Sequence, residues 1–344
     1  MNFSKPVVLT LTLFLSISHS QLFAQEAVES NRTLAKQGTV AQAKKLVVKI
    51  QNLLDKQWKA NTVLRDARSY TVKGLGACQG VNVINNKLYF YGDRYDVSPR
   101  TGVIREYDLQ MKSTGRSVLL NKVGKPVMTH PTGIAFLDRH NVFIGDTVDQ
   151  KAKIYWINWE KAWKTGNLDH AIRAVIEDDL AVNGCRPLLV SNNGKRYIAT
   201  ADYGDTGNRL RLYDPQKLSQ AKKTSDDGVL VAKIGCGKFN QNLDWHAESG
   251  QIVFIQNVIA GLGWQLQYID LNRALKNSNT LGRGTIKRQL VFPAHTELEG
   301  FRVLPDGRMI FVTAHKEKNV WIGKPLQIVG KMSQPGYELP FFDK

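Results

Sequence analysis

A motif of two short strands joined by a tight turn occurs five times along this chain, and it constrains the fold more than any other feature. Its copies read QGVNVINNKLYFYGD, TGIAFLDRHNVFIGD, RPLLVSNNGKRYIATAD, QNLDWHAESGQIVFIQN and EGFRVLPDGRMIFVTAH. They begin at Gln79, Thr132, Arg186, Gln241 and Glu299, which are 53, 54, 55 and 58 residues apart. Self-similarity at a nearly fixed period predicts an array of equivalent units, because each unit buries its apolar face against its neighbours.

Further strand-like runs follow each motif and bring the unit to four strands. Third-strand candidates are 103–109, 153–159, 209–215, 266–271 and 320–323, and fourth-strand candidates are 117–120, 171–176, 229–234 and 286–292. Four antiparallel strands per unit form the blade of a β-propeller, so the predicted fold is all-β with five blades, and six blades are the alternative. A β-sandwich or a parallel β-helix would not explain four strands at this period. The fifth blade takes its outer strand either from Leu326 to Val329 or, at the ring closure, from Tyr70 to Val72.

The N-terminal region predicts export and one helix. Lys5 precedes an apolar run from Val7 to Ile17, and Ala24 offers a small residue for cleavage, which is the pattern of a signal peptide over residues 1–24. We therefore expect a secreted or periplasmic protein; an uncleaved anchor is the alternative. Apolar residues at three- and four-residue steps predict an amphipathic helix within residues 38–60. The expected organisation is a signal peptide over 1–24, a polar and helical segment over 25–64, a propeller over 65–331 and a C-terminal tail over 332–344.

Composition narrows the range of partners. The formal net charge of +17 favours an anionic ligand or a protein partner, although scattered charges also serve solubility alone. The sequence has no long basic run that would indicate specific nucleic-acid binding. It also has no apolar run that is long enough for a transmembrane helix. The three cysteines, Cys78, Cys185 and Cys236, allow at most one internal disulfide and lack zinc-ligand spacing. The chain also lacks the GxSxG, HExxH, Walker A and GxGxxG motifs.

The repeat alignment places polar side chains at one mouth of the central channel. The innermost strand of each blade lines the channel, so equivalent residues form rings around its axis. The first ring, where the innermost strands begin, consists of Gln79, Thr132, Arg186, Gln241 and Glu299. The second ring, where the second strands end, consists of Asp93, Asp146, Asp202, Asn257 and His315. Both rings are expected at the same end of the channel, because the two strands form an antiparallel hairpin.

The carboxylates of these rings predict a cation site. Clustered carboxylates raise one another's pKa unless a cation neutralises them, and Ca²⁺ takes about six to eight oxygen ligands. The predicted calcium ligands are Glu299, Asp146, Asp202 and Asn257. His315 is the predicted catalytic acid or base, because an imidazole titrates near neutrality. The predicted ligand-binding residues are Arg186, Asp93, Gln79 and Gln241. Two alternatives stay open: Arg186 pairs with Asp202, or the aspartates bond backbone N–H groups of the following loop.

Two stretches carry a family resemblance. HPTGIAFLDRHNVFIGDT (130–147) resembles an NHL repeat, and DYGDTGNRLRLYDP (202–215) is similar to the second half of that repeat. The resemblance implies a place among the propellers that include the SMP-30/gluconolactonase and arylesterase enzymes, which usually have six blades and hold Ca²⁺ in the channel. It also implies that Glu299, within Glu299-Gly300, and Asn257 are metal ligands.

Two functions from different classes follow from these features. The first is an exported propeller that binds a ligand at the polar mouth; as an enzyme it would be a calcium-dependent hydrolase of an ester or lactone, in which the cation polarises the reacting oxygen. The second is a non-catalytic binding or scaffold propeller for an anionic ligand or a protein partner. The fold alone does not choose between them, because propellers host many activities.

Overall fold

The computed structural model describes residues 59–94, 96–259, 263–276, 285–292 and 297–328. The predicted signal peptide, the C-terminal tail and the N-terminal helix lie outside these residues, except that Lys59 and Ala60, where the helix prediction ends, begin a β-strand. In the described part of the chain, no helix is long and apolar enough to cross a membrane.

The described residues form five blades of four antiparallel strands, which confirms the predicted fold. The chain begins with β1 (Lys59–Tyr70) and then builds blade 1 from β2 (Ala77–Ile84), β3 (Lys87–Arg94), β4 (Thr101–Asp108) and β5 (Ser113–Leu119). A small hairpin follows, formed by β6 (Asn121–Lys122) and β7 (Lys125–Pro126). Blade 2 contains β8 (Pro131–Phe136), β9 (Val142–Val148), β10 (Lys151–Ile157), helix α1 (Trp159–Thr165) and β11 (Ile172–Glu177).

The remaining three blades repeat this order. Blade 3 contains β12 (Leu188–Asn192), β13 (Lys195–Ala201), β14 (Arg209–Tyr213), α2 (Pro215–Gln220) and β15 (Leu230–Gly235). Blade 4 contains β16 (Asn240–His246), β17 (Gln251–Ile259), β18 (Gly263–Asp270), α3 (Leu271–Lys276) and β19 (Ile286–Phe292). Blade 5 contains β20 (Leu298–Val303), β21 (Met309–Thr313) and β22 (Val320–Ile328), with β1 as its outer strand.

Strand β1 closes the ring. It pairs antiparallel with β22, from Asn61 opposite Ile328 to Tyr70 opposite Val320. The N-terminal side therefore supplies the outer strand, but the strand is Lys59–Tyr70 and not the predicted run from Tyr70 to Val72. The other alternative, Leu326 to Val329, was wrong, because Leu326 to Ile328 continue the third strand. β1 also runs parallel to β19, which joins blades 4 and 5 into one eight-stranded sheet.

Local turn chemistry fixes the hairpins within the blades. Asn85 and Asn86 connect β2 to β3 with φ values of 49° and 58°. Asn193 and Gly194 connect β12 to β13 with φ values of 50° and 77°. Two successive residues with positive φ make the mirror-image turn whose twist matches that of the flanking strands, and Asn and Gly adopt it at low cost.

Glycines allow the innermost strands to meet at the axis. A Cβ atom on Gly300 would lie 2.8 Å from the Cα of Gly80, and one on Gly133 would lie 2.7 Å from the carbonyl carbon of Arg186. Both distances are shorter than a carbon–carbon contact, so only glycine fits these positions. The glycine that follows Gln79, Thr132 and Glu299 therefore has a packing role, and it brings those three first-ring side chains close to the axis.

Candidate functional site at the channel mouth

The antiparallel hairpins place the two predicted rings at the same end of the propeller. Ala77 pairs with Asp93 in blade 1, and Pro131 pairs with Asp146 in blade 2, so each innermost strand begins where its neighbour ends. All members of the first ring are buried except Gln241, which is half-buried. We call this end the mouth and define it by the first ring together with Glu297.

Asn242 links the innermost strands of three blades just inside the mouth. Its side-chain amide donates to the carbonyl oxygens of Gln79 and Glu299, both at 3.1 Å, and to the hydroxyl oxygen of Tyr91 at 2.7 Å. One side chain of blade 4 thus ties together the strands of blades 1 and 5. Asn242 therefore forms the bottom of the mouth. The sequence prediction did not include this residue.

Glu299 is the most unusual group at the mouth. Its side chain is 2% exposed, and Oε2 is buried without a hydrogen-bond partner among the described residues. Burial raises the pKa of this carboxyl well above its usual value, the charge of Glu297 raises it further, and only Arg186 opposes the shift. Buried polar atoms are nearly always paired in folded proteins, so an unpaired carboxyl oxygen needs a functional explanation.

Glu297 joins the site although the sequence prediction missed it. Its Oε1 accepts hydrogen bonds from the side-chain amides of Gln241, at 2.7 Å, and Asn257, at 2.9 Å. Glu297 itself is exposed at the rim. The sequence Glu297-Leu298-Glu299 could have indicated that Glu297 belongs to the site, because alternate residues of an extended chain lie on the same side.

Arg186 is held by backbone oxygens and an aromatic ring. Its Nε donates to the carbonyl of Gln241 at 2.7 Å, and its Nη1 donates to the carbonyl of Ala201 at 3.3 Å. The guanidinium carbon lies 5.5 Å from the ring centre of Tyr203, within the range of a cation–π contact. Nη2 has no hydrogen bond among the described residues. Burial lowers the pKa of Arg186.

The aspartates of the second ring bind backbone groups. Asp93 accepts from the N–H of Ala77 at 3.0 Å, and Asp146 accepts from the N–H of His130 at 2.8 Å. Ala77 begins the innermost strand of its blade and His130 directly precedes that of the next, so neither donor lies on the following loop. Asp202 does accept from the end of its following loop, from the N–H of Arg209 at 2.9 Å. Arg100 also binds Asp93. Burial raises the pKa of Asp146, and the His130 hydrogen bond opposes that shift.

Asp202 belongs to a buried ion network. Both of its oxygens accept from Nη1 of Arg211 at 2.8 Å, so its partner is Arg211 rather than Arg186. The guanidinium also lies 3.8 Å from Asp178, whose Oδ1 accepts from the hydroxyl of Tyr213 at 2.7 Å. The side chains of Arg211, Asp178 and Asp202 are all fully buried. This network ties the end of blade 2 to blade 3.

Three of the four predicted calcium ligands make other contacts in this structure. Asp202 is bound by Arg211, Asp146 by a backbone N–H, and Asn257 Oδ1 by the N–H of Leu298 at 3.1 Å. Among the described residues, no group of three or more His, Cys, Asp and Glu side chains is placed to hold a metal ion. The arrangement therefore does not fit a Ca²⁺ ion, and calcium binding stays a prediction from the sequence.

Two of the described histidines, His130 and His315, lie close to the mouth. His315 is exposed on the loop between β21 and β22, and the preceding N–H of Ala314 donates to the carbonyl of Glu297 at 3.2 Å. His130 is half-buried, and burial together with Arg100 and Arg186 lowers its pKa to about 4. A neutral His130 at physiological pH can donate a hydrogen bond from one ring nitrogen and accept one at the other.

All three cysteines are free thiols.

Comparison with known proteins gives only distant structural likenesses. No protein-family model and no curated protein matches the chain. Solved structures that it resembles include a glucose dehydrogenase (12% identity, 78% of this chain and 100% of that chain, TM-score 0.43) and hydrazine synthase from Kuenenia stuttgartiensis (13%, 70% and 57%, 0.40). A gluconolactonase-family protein is also among them (16%, 54% and 57%, 0.33). The chain spans 57%, 52% and 59% of the first three solved chains it matches. The strand order of the described residues identifies a five-bladed β-propeller, and Glu299 lies at its polar mouth.

Proposed function

We propose that this protein is a ligand-binding propeller whose site is the mouth. The observation that supports this function is the carboxyl group of Glu299, which is buried and has an oxygen without a partner. Withdrawing such a group from water without a partner costs stability. A ligand that bonds to Glu299 would recover that free energy, so binding explains an arrangement that folding alone does not favour.

The ligand is a small hydroxylated molecule. Three first-ring side chains have unengaged hydrogen-bonding atoms among the described residues: the Glu299 carboxyl, Nη2 of Arg186 and the side-chain amide of Gln79. A protonated Glu299 donates a hydrogen bond, Arg186 donates to an anionic or carbonyl oxygen, and the Gln79 amide does both. A sugar acid or its lactone offers matching hydroxyl and carboxyl oxygens. We further propose that the protein acts outside the cytoplasm, because its N-terminal sequence has the pattern of a signal peptide.

Binding is favoured here over hydrolysis. His315, the predicted acid or base, is exposed and has no side-chain hydrogen bond among the described residues. Three of the four predicted calcium ligands, Asp146, Asp202 and Asn257, are bound to backbone groups or to Arg211. An ester or lactone hydrolase remains the alternative, and hydrolysis of those compounds distinguishes the two.

Thermal unfolding with a panel of aldonic acids, their lactones, monosaccharides and aryl esters tests this function. A panel member that binds at a hundredfold excess over its Kd should raise the melting temperature by about 5 °C. Glu299→Leu, which removes both hydrogen-bonding atoms of this side chain, should lose the shift. Glu248→Gln, which removes an exposed carboxylate from a turn of blade 4, should keep it. A shift of equal size in Glu299→Leu would place the ligand elsewhere, and turnover of an ester or lactone by the wild type would favour the enzyme.

We expect added Ca²⁺ to leave the melting temperature of metal-stripped protein unchanged within about 1 °C, because a ligand stabilises only a state that holds a site for it. Differential scanning calorimetry with and without millimolar CaCl₂ measures this. A rise that disappears in both Asp146→Asn and Glu299→Gln would restore the calcium prediction and show that these side chains regroup around the ion.

A further inference from the structure

Two aromatic side chains, Tyr203 and Phe239, lie side by side at the mouth end of the propeller. Tyr203 directly follows Asp202 of the second ring, and Phe239 directly precedes β16, whose second residue is Gln241 of the first ring. The two ring centres are 5.8 Å apart, and the ring planes are inclined at 52°. Both side chains are half-buried, so part of their surface stays accessible to a ligand. We call Tyr203 and Phe239 the aromatic pair.

The Tyr203 ring adjoins the cationic group of the mouth. The guanidinium carbon of Arg186 lies 5.5 Å from the centre of this ring. Nε of the same guanidinium donates to the carbonyl of Gln241 at 2.7 Å, which fixes its position. The Nη2 atom of Arg186, which has no hydrogen bond among the described residues, is therefore next to an aromatic surface.

Phe239 adjoins the acidic group at the rim. Its carbonyl oxygen accepts from the N–H of Asn257 at 2.8 Å. The side-chain amide of Asn257 donates in turn to Glu297, which is also bound by the side chain of Gln241. The contacts thus run from Phe239 through Glu297 to Gln241, whose carbonyl binds the guanidinium beside the other ring. The aromatic pair and the polar groups of the mouth therefore belong to one connected surface.

Hydrogen bonds between two loops hold the aromatic pair in place. The N–H of Phe239 donates to the carbonyl of Gly204 at 2.8 Å. The side-chain amide of Asn208 donates to the carbonyls of Gly204 and Gly237 at 2.9 and 3.0 Å, so it ties the loop after Tyr203 to the loop before Phe239. Rings that are fixed before a ligand arrives lose less conformational entropy on binding.

The backbone conformation of Phe239 is unfavourable for its side chain. Its φ of 52° lies in the left-handed region, which bulky residues rarely adopt and which costs free energy. Asn would adopt the same φ at lower cost. The chain therefore keeps an aromatic ring at a position where the backbone disfavours one, and strain of this kind is concentrated at functional sites.

We propose that the aromatic pair binds the apolar face of a six-membered sugar ring, so that the mouth takes a sugar acid in its closed ring form in preference to an open-chain acid. This inference rests on the function proposed for the mouth and specifies its ligand. In a pyranose with equatorial hydroxyl groups, the axial C–H groups form an apolar face, and aromatic side chains bury such a face favourably. Nη2 of Arg186 binds the carboxylate of the same ligand. An open-chain acid offers the carboxylate but no rigid apolar face.

Calorimetric titration with two probes of equal charge tests the inference. Methyl β-D-glucuronide is locked in the ring form, whereas D-gluconate at neutral pH is an open chain. The test variant is Phe239→Leu, which keeps an apolar side chain but removes the ring. The control variant is Trp163→Leu, which removes another half-buried ring with a guanidinium carbon 4.6 Å from its centre. Trp163 lies on helix α1, which follows the end of β10 opposite to the mouth.

The wild type should bind methyl β-D-glucuronide at least about fivefold more tightly than D-gluconate. Phe239→Leu should remove this preference by weakening the binding of the ring-form probe alone, and Trp163→Leu should keep the preference. Melting curves establish that each variant is folded. If Phe239→Leu is unfolded, Phe239→Asn replaces it, because Asn adopts a positive φ readily and also lacks the ring.

Equal binding of the two probes by the wild type would overturn the inference, as would an unchanged preference in Phe239→Leu or an equal loss of preference in Trp163→Leu. If Glu299→Leu still abolishes binding in any of these cases, the mouth remains the binding site and only the role of the aromatic pair fails. Absence of binding to both probes would also overturn the inference, and the thermal-unfolding panel then decides separately whether the mouth binds another ligand.

Discussion

Replacing Arg211 by Met is expected to destabilise the protein by about 3–5 kcal/mol and to lower its melting temperature by roughly 10 °C. The substitution leaves Asp178 and Asp202 buried without the guanidinium that lies between them. An uncompensated buried charge costs more than the ion pair gains, because the carboxylates cannot regain their hydration. Urea denaturation at neutral pH measures the change in the free energy of unfolding.

Lys233→Gln is the matched control for Arg211. Lys233 lies directly opposite Arg211 on the neighbouring strand but is exposed, so we expect a change below about 0.5 kcal/mol. Adding Asp178→Asn and Asp202→Asn to Arg211→Met should recover part of the loss, since it removes the stranded charges. A loss under about 1 kcal/mol for Arg211→Met would show that the network does not hold blades 2 and 3 together.

Replacing Glu299 by Gln is expected to stabilise the folded state by about 1–3 kcal/mol at neutral pH, because the amide keeps the shape of the side chain and carries neither a charge nor the cost of taking up a proton on folding. The folded-state pKa of Glu299 is raised well above its ordinary value of 4.5, first by burial and then by Glu297. The folded state therefore binds a proton that the unfolded state has released. The stability that Glu299 contributes is complete below pH 4.5 and is lost as the pH rises through the folded-state pKa.

The difference between Glu299→Gln and the wild type should follow that dependence. It should be largest above the folded-state pKa and should disappear as the pH approaches 4.5. Glu248→Gln, at an exposed position, should show no such difference at any pH. A destabilised Glu299→Gln would indicate that the carboxylate has a partner in the folded protein and would remove the reason for placing a ligand there.

Repeated local signals made the blades predictable. The turn residues Asn85-Asn86 and Asn193-Gly194 and the apolar alternation around them act over a few residues, so the sequence alone locates the hairpins. The sequence prediction located only the last residue of β1. One reason is that the pairing of β1 with β22 joins the two ends of the described chain. Its sequence, KANTVLRDARSY, is also charged, as is common for an outer strand, and does not read as a clear strand.

The sequence predicted where the site lies but not which hydrogen bonds and ion pairs its residues form. The alignment placed Glu299 and Arg186 at the same mouth because equivalent positions in a ring converge. It could not show that Arg211 binds Asp202, because that contact depends on the register between the neighbouring strands β13 and β14 of blade 3. Asn242 and Glu297 were missed for a different reason, because their contacts join separate blades.

The pKa of the Glu299 carboxyl measures most directly whether the mouth holds a buried carboxyl that is available to a ligand. In protein labelled with ¹³C at glutamate side-chain carboxyls, the Glu299 signal is the one absent from Glu299→Gln, and its chemical shift is followed against pH. We predict a titration midpoint well above 4.5, which moves when a mouth ligand binds. A midpoint at or below 4.5 would mean that Glu299 is already ionised and partnered in the folded protein, and it would contradict the assignment of the mouth as a binding site.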